Sequence, residues 1–243
     1  MRIKLTVSYD GTDFSGWQRQ TDKTTVQQTI EDAIFSLTGE KVKVVGSGRT
    51  DAGVHALGQV AHFDTKSTIP PSNFAKALNT ILPLSVKVLK SEEVAKSFDA
   101  SRTAKRKTYC YSLYKSDVIL PLKERYSVMI KKDTDVKIMK DVAKLFVGEH
   151  DFKSFCASGS SVKTTVRTVY SVEIKEEGED VKVYITGNGF LYNMVRIIVG
   201  TLVECGQKRI DEKAIKTMLN EKRRNIGGRT LSAKGLCLVS VEY

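Results

Sequence analysis

The chain has 243 residues, 41% of them hydrophobic, and 39 Lys and Arg against 28 Asp and Glu, for a formal charge of +11. That length fits one large domain or two small ones, each with a real core. The most apolar run, around Met194–Val203, is too short and too interrupted by Arg196 and Gly200 to span a bilayer. The first residues read as a strand rather than a signal peptide, which points to the cytoplasm. The four cysteines stand far apart without a Cys-x-x-Cys pair, and the three histidines lack ligand spacing. Reduced thiols and no metal site are therefore expected. A basic chain of this kind points first to nucleic acid, with a lysine-rich thermophilic surface as the alternative. Clustering favours nucleic acid: Arg102, Lys105, Arg106 and Lys107 form one group, and Lys222, Arg223, Arg224 and Arg229 another.

In chain order, residues 2–9 alternate as a strand and stop at Asp10-Gly11, a turn signal. Thr25–Leu37 carries apolar residues at helical spacing, capped by Thr24 or Thr25 and ended by Gly39. A short strand is predicted at Val42–Val45, then the glycine-rich loop Gly46–Gly53, then a strand at Gln59–Asp64. Ser72–Ile81 reads as a helix and Val86–Val94 as a strand. Periodicity gives way to charge near Asp99–Lys105, which predicts domains at 1–101 and 102–243. In the second half, Lys107–Tyr114 reads as a strand with Tyr109, Tyr111 and Leu113 on one face. Val136–Phe146 reads as a helix. Thr165–Lys175 and Asp180–Gly187 form a hairpin through Glu177-Gly178-Glu179. Helices are predicted at Phe190–Cys205 and Asp211–Leu219, and a last strand at Gly235–Tyr243. The order predicts an α+β fold of two domains, each a largely antiparallel sheet covered on one face by helices.

The Gly46–Gly53 loop is the densest chemical signal. It lacks the Gly-Lys-Ser/Thr of a P-loop, and Asp51 stands where a dinucleotide loop has its third glycine. An aspartate there would repel a pyrophosphate. Arg49 and Asp51 lie two residues apart, on one face of an extended loop. They form either a surface ion pair or a carboxylate kept ionised for nucleophilic or proton-transfer chemistry. The helix at Phe190–Cys205 is apolar nearly all round, except for a narrow stripe of Asn193, Arg196 and Gly200. A guanidinium on such a helix needs an anion, and Gly200 would leave room for one. A structural carboxylate, a catalytic carboxylate and a substrate phosphate all fit. Tyr109 and Tyr111, beside Lys105-Arg106-Lys107, are either the core face of their strand or a stacking platform for bases. Phe14 and Trp17 leave the same choice open.

Taken together, these segments resemble the tRNA pseudouridine synthase A family along nearly the whole chain. Five segments match in order. They are Tyr9-Asp10-Gly11 with Gly16-Trp17-Gln18, Gly48–Ala56, Arg106–Tyr111, Asp151–Phe155 and Gly187–Arg196. One departure is visible: Thr230–Lys234 lacks the Ala-Pro pair usual before Gly235-Leu236. The resemblance implies a homodimer of two RRM-like (ferredoxin-like) α/β sandwich domains forming a central cleft for tRNA. It implies no cofactor and no metal, and uridines 38, 39 and 40 of the anticodon stem-loop as targets. It implies Asp51 as nucleophile, Arg49 beside it in displacing the base, Tyr109 stacked on the target base and Arg196 as partner of the carboxylate. Tyr111, Arg106 and Lys107 join them as substrate contacts. A non-catalytic RNA-binding protein and a nucleotide-dependent enzyme are the rival readings. The first leaves the Arg49–Asp51 loop unexplained, and the second the basic surface.

Overall fold

The computed structural model of the chain describes residues 1–159, 162–221 and 228–243. It is a mixed α/β fold whose strands pair mostly antiparallel. The chain divides into two compact units, one of residues 1–105 with 237–243 and one of residues 106–236.

In the first unit, strand β1 (Arg2–Tyr9) alternates strictly, so Ile3, Leu5, Val7 and Tyr9 point into the core. It pairs antiparallel with β3 (His55–Asp64) on one side and with β4 (Val86–Val94) on the other. Strand β2 is only Val45–Gly46, starting three residues later and shorter than the sequence predicts, and lies against β3. Strand β3 starts four residues earlier than predicted, because pairing to Tyr9 of β1 carries it back to Ala56 and pairing to Cys237 carries it to His55. The last strand of the chain, β10 (Leu236–Glu242), runs parallel to β3. Helix α1 (Val26–Thr38) begins where the Thr25 side chain accepts the Gln28 N–H and ends at Gly39, whose φ is +73°. Its Val26, Ile30 and Ile34 are fully buried, each contributing about 1.5–3 kcal/mol. Helix α2 (Phe74–Asn79) follows a 3₁₀ turn at Pro71–Asn73, and Phe74 meets Phe63 edge-on at 5.6 Å.

The second unit is built on β5 (Arg106–Lys115), β6 (Val128–Ile130), β7 (Gly148–Asp151), β8 (Val166–Glu177) and β9 (Asp180–Gly187). The order is β5-β9-β8-β7, all antiparallel, with β6 parallel to β5. The β8–β9 hairpin turns at Gly178, as its sequence predicts, with φ +57°. One face of this sheet is apolar. Helix α3 (Val136–Ala143) is capped by Asp135, and α4 (Met194–Gly206) packs on α3. Helix α5 is Glu212–Glu221. The Asp151–Phe155 segment is structural here: Phe152, Ser154 and Phe155 are buried, and the Ser154 hydroxyl donates to Met218 O at 2.8 Å.

Two expectations are corrected. Helix α4 starts at Met194 rather than Phe190, because Asn193 at φ +59° ends the preceding loop in a left-handed residue. Gly200 leaves no space for an anion. A Cβ there would lie 1.9 Å from Arg229 O, so the glycine admits the returning backbone of residues 228–231. Among the described residues, no helix is long and apolar enough to cross a membrane.

Candidate active site

The Asp51 loop is fixed by the segment that follows β1. Register places Tyr9 opposite Ala56, so residues 10–17 run alongside residues 46–54. Trp17 N–H donates to Thr50 O at 3.0 Å, and Gly53 N–H to Phe14 O at 3.3 Å. The Tyr9 hydroxyl meets Thr50 Oγ1 at 2.8 Å in a buried bond. Burial pushes the Tyr9 hydroxyl well above its ordinary pKa, so it stays protonated and neutral. From the other side, Ser47 N–H donates to Val60 O at 2.7 Å, and its hydroxyl to Gln59 Oε1 at 2.6 Å. Gln59 Nε2 then donates to Gly48 O at 3.0 Å. Bonds therefore grip the loop at Ser47, Gly48, Thr50 and Gly53, around Asp51.

Two glycines make the approach possible. Gly16 holds φ +90°, and a Cβ on it would lie 2.5 Å from Thr50 O. Gly46 lies under the Trp17 indole, where a Cβ would come within 2.5 Å of the ring. Trp17 is 2% exposed and Phe14 is buried, and both are fixed inside the clamp. The N-terminal and aspartate-loop segments are thus two halves of one clamp.

At the head of the clamp Asp51 is half-buried and Arg49 is exposed. His55, which the sequence reading left aside, is buried and accepts Gly11 N–H on Nδ1 at 3.1 Å, with Asp10 Oδ1 also 3.1 Å from that nitrogen. Gln59 was missed as well. Its signal was a polar residue at the start of an apolar strand run, and it is fully buried.

In the second unit Tyr109 and Tyr111 both face the core. Tyr109 is 8% exposed and meets the Phe190 ring edge-on at 5.2 Å. Tyr111 is fully buried; its hydroxyl donates to Ser232 O at 2.5 Å and burial raises its pKa, partly offset by Arg196 and Arg229. That contact occupies the stretch where the Ala-Pro pair is missing. Lys107 is half-buried on the same face, and desolvation lowers its ammonium pKa. Arg106, one residue earlier, is exposed on the opposite face.

Arg196 is half-buried rather than buried. Its Nε donates to Leu231 O at 2.7 Å and its Nη1 to Asn193 Oδ1 at 2.6 Å. These two bonds hold the guanidinium plane at the start of α4. Of the basic groups, Arg102 is exposed beside Asp99, and Arg229 lies 4.0 Å from Glu204. Lys222, Arg223 and Arg224 lie outside the described residues. No group of three or more His, Cys, Asp or Glu among the described residues is arranged to hold a metal ion.

A chain with a rigidly held aspartate loop, a basic tyrosine strand and a pinned arginine has the parts of an RNA-directed enzyme. Comparison with known proteins makes this specific. A family model described as tRNA pseudouridine synthase matches residues 5–101 and 142–243. Curated relatives span the whole chain. "tRNA pseudouridine synthase A 2" of Clostridium perfringens is 45% identical over 99% of both chains. "tRNA pseudouridine synthase A" of Acetivibrio thermocellus is 47% identical, and that of Caldicellulosiruptor bescii 45%, each again over 99% of both chains. The chain belongs to the tRNA pseudouridine synthase family and is an isomerase.

Proposed function

We propose that this enzyme converts uridine to pseudouridine at positions 38, 39 and 40 in the anticodon stem-loop of tRNA, with Asp51 as the nucleophile. The observation that carries this reading is the clamp. A half-buried aspartate is held by backbone bonds on both sides, the preorganisation that covalent or proton-transfer chemistry needs. The reaction breaks N1–C1′, turns the base and rejoins it through C5. Atoms and electrons balance within the nucleotide, so the chemistry requires no redox partner or group donor. The carboxylate of Asp51 attacks C1′ or C6, or takes the C2′ proton; each route needs it ionised.

The remaining roles follow from position. Arg196, its plane fixed by Leu231 and Asn193, takes a catalytic role as a guanidinium held ready for an anion. Arg49, exposed two residues from Asp51, helps displace the base. Tyr109 stacks on the flipped uracil, offsetting about 1–3 kcal/mol of unstacking. Tyr111, Arg106 and Lys107 complete the substrate-binding set, the two cations at phosphates. The β1-α1-β2-β3-α2-β4 run of the first unit, with β1 between β3 and β4, supports an RRM-like reading. The boundary expected at 101/102 falls at 105/106, and the last strand returns to the first unit beside β3; the proposal extends to a cytoplasmic homodimer with tRNA as partner.

The test is to incubate the protein with an unmodified tRNA transcript, without added cofactor, and to map pseudouridine by chemical labelling and primer extension. Parallel transcripts carry cytidine at 38, 39 or 40. Signal lost only where the uridine is replaced supports the assignment. Signal outside the anticodon stem-loop would overturn the positions, and bound but unmodified tRNA would overturn the activity.

A further inference from the structure

The solvent face of the second unit's sheet carries a feature that the catalytic roles do not use. β8 pairs with β9 up to Val169↔Gly187 and resumes at Ser171↔Thr186, leaving Tyr170 as an extra residue without a ladder partner. An inserted residue of this kind bends its strand and re-aims its side chain. Val169 is buried, whereas Tyr170 is 40% exposed. The Arg106 guanidinium lies over the Tyr170 ring, 4.8 Å from its centroid. These residues stand on β5 and β8, with β9 between them. β9 gives way at this level. Gly187 has no side chain, and the Asn188 amide turns onto Thr168, accepting its N–H at 3.0 Å. The arginine reaches the tyrosine across that gap.

An arginine held over a ring by its π face keeps N–H groups available beyond the ring edge. Their fork matches two phosphate oxygens. Nearby, Arg167 is tied to the Thr164 and Val166 carbonyls at 2.9 and 2.6 Å, so a second guanidinium is held on the same strand. We propose that Tyr170 is a positioning residue for RNA: it holds the Arg106 guanidinium over its ring, ready to clamp a phosphodiester of the substrate RNA. This rests on the proposed tRNA activity and adds a residue outside the five segments that carry the family resemblance.

The test measures tRNA binding and steady-state isomerisation across a salt series. The proteins are wild type, Tyr170→Ala, Tyr170→Gln, Tyr170→Phe, Arg106→Gln and the Arg106→Gln/Tyr170→Ala double variant. Either removal of the ring is expected to raise Kd and KM about fivefold, while kcat stays within about twofold. Phenylalanine keeps the π face and restores wild-type Kd. Arg106→Gln flattens the slope of log Kd against log salt by about 0.9, one phosphate's share. The double variant binds no more weakly than Arg106→Gln alone, because the tyrosine acts only through the arginine. Wild-type affinity in the Ala and Gln variants, a Phe variant as weak as Ala, or additive losses would each overturn the proposal while leaving the isomerase reading intact. A wild type that neither binds nor modifies tRNA would instead bring down the functional reading, and this inference with it.

Discussion

Replacing Gly16 with alanine asks whether the segment after β1 holds the Asp51 loop. Alanine must adopt φ +90° and place a Cβ 2.5 Å from Thr50 O. A left-handed backbone costs an L-residue about 1–2 kcal/mol. Relieving the contact pushes Thr50 away and stretches the 3.0 Å bond from Trp17 N–H to its carbonyl. A lost bond of this type costs about 0.5–1.5 kcal/mol. The expected destabilisation is therefore about 1.5–3.5 kcal/mol. The effect on chemistry is expected to be larger, because Asp51 follows Thr50 directly. A displacement near 1 Å lowers turnover about 100-fold. Trp17 is the sole tryptophan and is 2% exposed, so its fluorescence reports urea unfolding from within the clamp itself. Single-turnover isomerisation reports the chemistry. Wild-type stability together with wild-type turnover would refute the clamp. Lost stability with unchanged turnover at 25 °C would show that the clamp does not position Asp51.

Further expectations follow from the same contacts. Tyr9→Phe strands the buried Thr50 hydroxyl and is expected to cost about 1–3 kcal/mol; a urea midpoint equal to wild type would contradict that bond's contribution. Gly200→Ala puts a Cβ 1.9 Å from Arg229 O and is expected to cost about 1–3 kcal/mol or more by overpacking. Thermal unfolding checks it, and an unchanged Tm would mean that residues 228–231 do not pack there. Arg196→Lys loses the planar fork that bonds Leu231 O and Asn193 Oδ1 together. Its kcat is expected to fall by about 100-fold or more, with little change in tRNA affinity; full activity would assign Arg196 a structural role only.

Much of the frame was legible because local and tertiary signals agree. β1 alternates cleanly, and α1 carries its cap at Thr25 and its stop at Gly39. The start of α4 misled because Phe190 and Leu191 fit helical spacing; the left-handed Asn193 delays the helix to Met194, and Phe190 meets Tyr109 edge-on instead. β6 and β7 span three and four residues, too few for a period to emerge. At the site, the loop was visible from its glycines and the odd placement of Asp51. What held it was not, since the bonds join Thr50 and Gly53 to residues some thirty to forty positions earlier. Alternation put Tyr109 and Tyr111 on one face but said nothing of depth, and Tyr111 is fully covered with its hydroxyl occupied. Tyr170 was invisible because an extra residue in a strand breaks the very alternation by which strands are read.

The proposed chemistry rests on the Asp51 carboxylate. The most direct measurement is single-turnover isomerisation of one unmodified tRNA transcript by wild type, Asp51→Asn and Asp51→Ala, with tRNA affinity measured on the same preparations. Both variants are expected to bind within about threefold of wild type and to form no detectable pseudouridine. Pseudouridine formed by either variant at a substantial fraction of the wild-type rate would contradict the account and move the nucleophile elsewhere in the chain.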